Sequence, residues 1–404
     1  MQRNYKNDFP LFQNDATVYL DNAATAQRPA CVLDAVNEFY TKHNANPLRG
    51  IYDLSVKATE DLENAREMVR RFIGAEKPEE IIFTRNTTES LNLVAYSYGL
   101  AAVHAGDEIL VSIMEHHSDL LPWQMVCRQT GATLRFLECE PDGSLDLDKA
   151  EKCMTEKTKI VAVTQMSNVL GRVYPIKTLA QLAHKKGAVL VADGAQSTPH
   201  MPVNVKDLDV DFFAFSGHKL YGPMGIGVLY GKRSLLRAMP PFLTGGEMIE
   251  SVTRDGAVFA ELPHKFEAGT VNASGAAGLD KAIRYVEEIG FDTIHERELA
   301  VSSYAFERMK EMDSVHIIGS ERAEEHNGIL TFTVDGVHPH DISEIFASDG
   351  VAVRAGHHCA QPLLAHLGLR ATVRASFAFY NTREDADKFL ESLSTIRERM
   401  GYGK

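Results

Sequence analysis

Between residues 80 and 230 the chain alternates short apolar runs with segments of helical period, and most apolar runs end in small or polar residues. Glu80–Thr84, Ile109–Ile113, Thr133–Leu137, Lys159–Thr164 and Ala188–Ala192 read as strands, as do Asp211–Phe215 and Ile226–Tyr230. Ser90–Ala102, a segment around Trp123, and Ile176–Lys186 read as the helices between them. Upstream, Ala58, Leu62, Ala65, Val69 and Phe72 share one helical stripe that Gly74 closes. This rhythm predicts an α/β fold, a mostly parallel sheet wrapped by helices. Open sheets of that kind bind ligands beyond the carboxyl ends of their strands. The polar strand ends therefore mark one candidate site: Thr88, His116, Asn168, Asp193, Gln196, Ser216, His218 and Lys219.

After Tyr230 the pattern changes to Gly-interrupted loops, a long helix from about Ala277 to Ile289, and then mixed helices and strands. At 404 residues the chain exceeds one compact core, so two domains are expected. Residues 16–290 read as the large domain and 291–404 as a smaller α+β domain, with residues 1–15 packing on the latter. A formal charge of −13 without any Lys/Arg-rich block argues against nucleic acid or an anionic membrane as partner. The five cysteines (Cys31, Cys127, Cys139, Cys153, Cys359) are scattered, neither a disulfide framework nor a metal pattern, and point to a reducing compartment. The N-terminus lacks the apolar core of a signal peptide, and no apolar run approaches the roughly 20 residues of a membrane helix. A cytoplasmic protein is expected.

The stretch DFFAFSGHKLYGPMGIGVLY places Lys219 between two apolar runs. Burying an ammonium there is costly unless it is paired, neutral, or tied up as a Schiff base; a solvated loop lysine is the plain alternative. Thr87-Thr88 ahead of a helix is either a cap or an anion site. Taken together the strand ends match what pyridoxal phosphate requires. Lys219 offers the Schiff-base amine, and Asp193 the acid that keeps the pyridinium protonated. Thr88, Ser216 and His218 offer phosphate donors. His116 can flank the ring and Gln196 can bond its phenolic oxygen.

ADGAQS, SGHKLYGP, FTRNTTES and MEHHSDLLPWQ resemble the fold-type I, class V aminotransferase family, and RAGHHCAQPLL around Cys359 resembles its group II, SufS-type cysteine desulfurases. The resemblance runs from YLDNAAT to the final helix. It implies a large domain with a seven-stranded, mostly parallel sheet, a small domain, and a homodimer in which Thr270 reaches the neighbouring phosphate. It also implies that Arg374 clamps the substrate carboxylate, with Asn168 and Arg49 nearby. Cys359 would be the nucleophile, its thiolate favoured by Arg354, His357 and His358 on a polar, mobile loop. The substrate would be L-cysteine and the product a Cys359 persulfide destined for iron–sulfur cluster assembly. Selenocysteine lyases and cysteine-sulfinate desulfinases share the scaffold, and a cofactor-free interaction protein is the reading from another class. HPHD at 338–341 resembles enzymes served by zinc-bearing SufU-like acceptors rather than SufE-like ones, with His340 as the zinc-seeking residue; a simple helix start is the alternative. Two departures stand out: Leu48 where a histidine is usual, and Thr244 where the hook usually begins with a third glycine.

Overall fold

The computed structural model describes residues 3–402, so the first two residues of the N-terminal segment lie outside the described part. After a short strand β1 (Val18–Tyr19) come β2 (Ile81–Thr84), β3 (Glu108–Ser112), β4 (Thr133–Leu137), β5 (Thr158–Thr164), β6 (Val189–Asp193), β7 (Phe212–Ser216) and β8 (Gly227–Gly231). The last seven form one sheet in the order β2-β8-β7-β6-β5-β3-β4. β4, β3, β5, β6 and β7 are mutually parallel. β8 runs against both of its neighbours, β7 and β2. The reason is local: no crossover helix separates β7 from β8, and a connection closed by Gly217 N–H donating to the Ile226 carbonyl can only return the chain antiparallel.

The central strands are apolar on both faces because both are covered. Phe213 and Phe215 of β7 enter one core while Phe212 and Ala214 enter the other; Val161 and Val163 of β5 oppose Ile160 and Ala162 in the same way. Helices Asp53–Phe72 and Ala273–Ile289 pack together over the first of these cores. Fully buried Arg66 fastens that layer to the sheet edge. Its guanidinium donates to both Glu267 oxygens, at 2.6 and 2.8 Å, and to the Ile81 carbonyl. Burial pushes the Glu267 carboxyl up, but Arg66 and its hydrogen bonds outweigh this and hold it at about 2.

A hairpin, β9 (Ile249–Val252) with β10 (Ala257–Phe259), precedes the C-terminal sheet. That second sheet is antiparallel, in the order β11 (Val315–Ile317), β12 (Ile329–Val334), β15 (Thr372–Ser376), β14 (Arg354–Gly356). It is backed by Phe332, Phe346, Phe377 and Phe389. The stretch 351–356 is split between two strands. β13 (Val351–Ala352) pairs in parallel with β1, whereas β14 pairs with β15, so the two halves serve different partners. The N-terminal segment touches both halves of the molecule: Phe9 meets Tyr221 and Tyr285 of the large core edge-on, at 6.4 and 6.1 Å between ring centroids, and Lys6 pairs with Asp385 of helix Arg383–Arg399. No helix among the described residues is long and apolar enough to cross a membrane.

Candidate active site

The carboxyl ends of β2, β3, β5, β6 and β7 and the loop after β14 enclose a cavity of about 950 Å³. Thr88, His116, Asn168, Asp193, Gln196, Ser216, His218, Lys219, Arg374, Cys359 and His340 all line it. Arg49 and Thr270 do not. Both are exposed, and Arg49 is instead paired at 2.7 Å with Glu247 of the glycine-rich hook. Leu48 beside it takes a left-handed backbone (φ 79°) and packs at the edge of the large core.

At the end of β2, Asn86 caps the next helix by accepting the Glu89 N–H, so the helix begins at Thr87 and not at Ser90. Thr87 and Thr88 thereby fall in its first turn, where free N–H groups and the helix dipole favour an anion. Ser216 accepts the Thr87 N–H at 2.8 Å and shares a hydroxyl bond with Thr87 at 2.7 Å; Thr88 and Ser118 share a hydroxyl bond of 2.7 Å. Gly227 permits this arrangement, since a Cβ there would stand 2.5 Å from the Asn86 Cα. Buried Thr87, which the sequence offers only as half of a Thr pair and which the candidate set omits in favour of Thr88, also lines the cavity.

Lys219 follows β7, and burial brings its ammonium down to about 8 against the opposing pull of Asp193. The Asp193 carboxyl closes β6; burial raises it, while Lys219 and the Ala195 N–H (2.8 Å) favour its ionised form. His116 is driven down to about 3 by burial and by neighbouring Lys219, so the ring is neutral. Its Nδ1 accepts the Ser118 N–H at 3.1 Å, which puts the proton on Nε2. His218, pushed down to about 4 by burial, is neutral too and bonds Thr25. The Gln196 amide donates to the Ala23 carbonyl at 2.7 Å, anchoring the YLDNAAT turn over the site.

Arg374 enters from β15. Its Nη1 donates to the Asn168 carbonyl at 2.8 Å and Nη2 reaches Asp21 at 3.4 Å, while Nε, fully buried, has no partner among the described residues. Arg354 grips the same Asp21 through Nε and Nη2. Asp21 is therefore a second residue missed by sequence reasoning; its position just after an apolar pair, in a turn of small residues, was the available signal. Burial lowers Arg374 only to about 10, so it remains a cation.

Cys359 is the exposed member of the five cysteines; burial pushes Cys127 and Cys139 up to about 11. Its loop is held and not loose. Cys359 accepts the His117 N–H at 2.7 Å, His358 accepts the Asn168 amide at 2.7 Å, and His358 Nε2 meets Thr372 at 2.8 Å. His358 and Cys359 both adopt the left-handed conformation (φ 51° and 54°), unusual for consecutive non-glycine residues and sustained by these bonds. The expected positive charge from His358 is absent: burial drives it to about 3, leaving a neutral ring. Lys219, Arg354 and Arg374 are the cations within electrostatic reach of the Cys359 sulfur. His340 lies exposed on the rim in the first turn of helix Pro339–Ser348, which His338 caps. The helix starts two residues before Asp341, because Pro339 suits a first helical position.

A buried acid and a depressed lysine at adjacent strand ends, an anion cradle and an arginine with a free buried N–H define a site for a phosphorylated aromatic cofactor and an amino-acid carboxylate. The chain belongs to the class-V aminotransferases, whose family model matches residues 18–389. It is 48% identical over 398 residues to a protein of Halalkalibacterium halodurans described as a probable cysteine desulfurase, covering 98% of this chain and 97% of the relative. A cysteine desulfurase from Thermococcus onnurineus superposes with a TM-score of 0.93 at 44% identity, covering 98% of this chain and 97% of that one. The cysteine desulfurase CsdA from Escherichia coli gives 0.91 at 40% identity, with 98% of both chains covered.

Proposed function

We propose that the chain is a pyridoxal-phosphate-dependent cysteine desulfurase, which converts L-cysteine to L-alanine and retains the sulfur on Cys359. The observation that carries this reading is one cavity shared by Lys219, Asp193, Arg374 and Cys359. The residues fit the cofactor. Thr87, Thr88, Ser216 and His218 would hold its phosphate, Asp193 would pair with the ring nitrogen, and His116 and Gln196 would contact the ring. Once bound, pyridoxal phosphate supplies the electron sink that makes the substrate's Cα proton labile.

The protein's own groups do the rest. Arg374 holds the carboxylate, its free Nε completing a two-point contact. Lys219, whose free amine grows as pH rises through about 8, takes the Cα proton. The Cys359 thiolate attacks the substrate sulfur; the C–S bond breaks as the S–S bond forms, its electrons stay with the carbon skeleton, and protonation there completes alanine. The same reading assigns residues 16–290 to cofactor binding and 291–404 to a lobe that presents Arg374 and Cys359.

A homodimer belongs to this reading, with Thr270 and Arg49 acting toward the partner's site. Exposed Ile51 (98%), Tyr52, Leu54 and Val56 support an apolar contact next to Arg49. Sulfur then passes to a zinc-bearing acceptor for iron–sulfur assembly, a reading supported by His340 standing exposed on the cavity rim.

The test is direct. Purified protein with pyridoxal phosphate is given L-cysteine, L-selenocysteine or cysteine sulfinate, and alanine and protein-bound persulfide are measured. Cysteine should yield both products, with the persulfide mapped to Cys359. Lys219→Ala should yield neither, and Cys359→Ser should bind cofactor without forming persulfide. Preferred turnover of either other substrate, or persulfide on another cysteine, would overturn the assignment.

A further inference from the structure

The turn that carries His116 is flanked by two carboxyls facing away from the cavity, Glu115 and Asp119, both fully enclosed. Glu115 Oε1 accepts the Ser112 hydroxyl and, at 2.8 Å, the Thr164 N–H. Asp119 Oδ1 accepts the Trp123 indole N–H at 2.8 Å. The two side chains lie within hydrogen-bonding reach of each other, yet Glu115 Oε2 and Asp119 Oδ2 have no donor among the described residues. Two ionised carboxylates cannot persist in such a place, and no cation compensates them. A proton on one acid, donated to the other, satisfies both orphan oxygens at once.

We propose that Glu115 and Asp119 share a single proton in a closed carboxyl–carboxylate pair, and that this pair positions the His116 turn and protects the charge on Asp193. The geometry gives it that reach. Asp119 N–H donates to the His116 carbonyl at 2.8 Å, closing the turn. Thr164, held by Glu115, lies in register with Asp193 across β5 and β6. The titratable groups that face the pair are Asp193, toward Asp119, and the buried Tyr174, whose phenol lacks a partner, toward Glu115. Neither supplies positive charge. Burial, with Asp193 adding to it, raises Asp119 to about 8 and Glu115 moves the same way. With one charge shared between them, Asp193 is repelled less and stays ionised. Glu115 and Asp119 are positioning residues: they touch neither the cavity nor what it binds.

The consequence for stability has a definite sign. An acid held protonated in the folded state binds more protons folded than unfolded between its ordinary range and its raised value. Stability should therefore fall as pH rises toward about 8. The experiment measures the thermal midpoint of the holoenzyme across this window, and the infrared carbonyl band of a protonated carboxyl, for wild type, Asp119→Asn and Glu115→Gln. Wild type should show a slowly exchanging acid band and the falling midpoint. Asp119→Asn, whose amide donates where the acid proton did, should lose the band and flatten the pH slope. Glu115→Gln should do the same and replaces Asp119→Asn should that variant not fold. A third arm rests on the desulfurase reading: Asp119→Ala should lower kcat about tenfold with little change in KM, and Asp119→Asn should recover most of the loss. The first two arms do not depend on activity, so they separate failure of the pair from failure of the assigned reaction. A wild type without the acid band, or an Asp119→Asn slope equal to that of wild type, would overturn the proposal.

Discussion

Arg374 of the C-terminal sheet donates to the main-chain carbonyl of Asn168, in the turn that follows β5 of the seven-stranded sheet, across 2.8 Å. The bond crosses the boundary between the two sheets. It leaves the guanidinium with one buried N–H unspent, aimed by the Asn168 carbonyl and the Asp21 carboxylate and not by substrate. A charged group held in place before substrate arrives loses little freedom on binding.

Arg374→Ala is accordingly expected to raise KM for cysteine by roughly 30-fold or more, since losing one partner of a buried charge pair costs about 2–5 kcal/mol. Arg374→Lys should recover only part, because an ammonium cannot make the two-point contact. Steady-state kinetics checks both; an unchanged KM in the alanine variant would remove Arg374 from the carboxylate site.

Lys219 makes a prediction in pH. Its ammonium sits near 8, below the usual lysine value, so the nucleophilic free amine grows as pH rises and is nearly complete above about 9. The rate at which the apoprotein recaptures pyridoxal phosphate, followed by absorbance, should climb through about pH 8 and then level off. A rate still climbing steeply beyond pH 10, as for an ordinary lysine, would contradict the depressed value.

Asn168→Ala removes the amide that holds the His358 carbonyl. A single hydrogen bond of this kind contributes about 1 kcal/mol. The effect should therefore be local: faster amide exchange over residues 356–361 and slower persulfide formation, with the global unfolding midpoint little changed. Exchange as slow as in wild type would show that the other bonds suffice.

His340→Ala should separate acceptor use from chemistry. Stimulation by a zinc-bearing acceptor protein should fall at least about fivefold, while turnover supported by a small thiol reductant changes less than about twofold. Equal stimulation of both proteins would return His340 to the role of a surface histidine at a helix start.

Much of this architecture could be read from the chain because the signals were local. A strand buried on both faces must be apolar and its end polar, so Asp193, Ser216 and Lys219 announced themselves in ADGAQS and SGHKLYGP. The reversal of β8 was hidden in a short connection, and the early start of the Thr87 helix in the choice of Asn86 as cap. His358 illustrates the other kind of failure. Adjacency to Cys359 suggested a cation, but its protonation depends on enclosure beside Thr372, fourteen residues onward on another strand. Asp21 was equally opaque, for its meaning lies in two arginines at the far end of the chain.

That distance has a bearing on how the molecule comes into being. β1 finds its strand partner in β13, and Asp21 waits for Arg354, 333 residues downstream, and then for Arg374. A chain emerging from the ribosome folds from its N-terminal end. The strand ends carrying Asp193 and Lys219 can assemble while synthesis continues, but the carboxylate clamp and the sulfur-bearing loop cannot. A nascent or truncated chain could thus acquire a cofactor seat without any means to draw sulfur from cysteine, so that thiol chemistry begins only in a finished polypeptide.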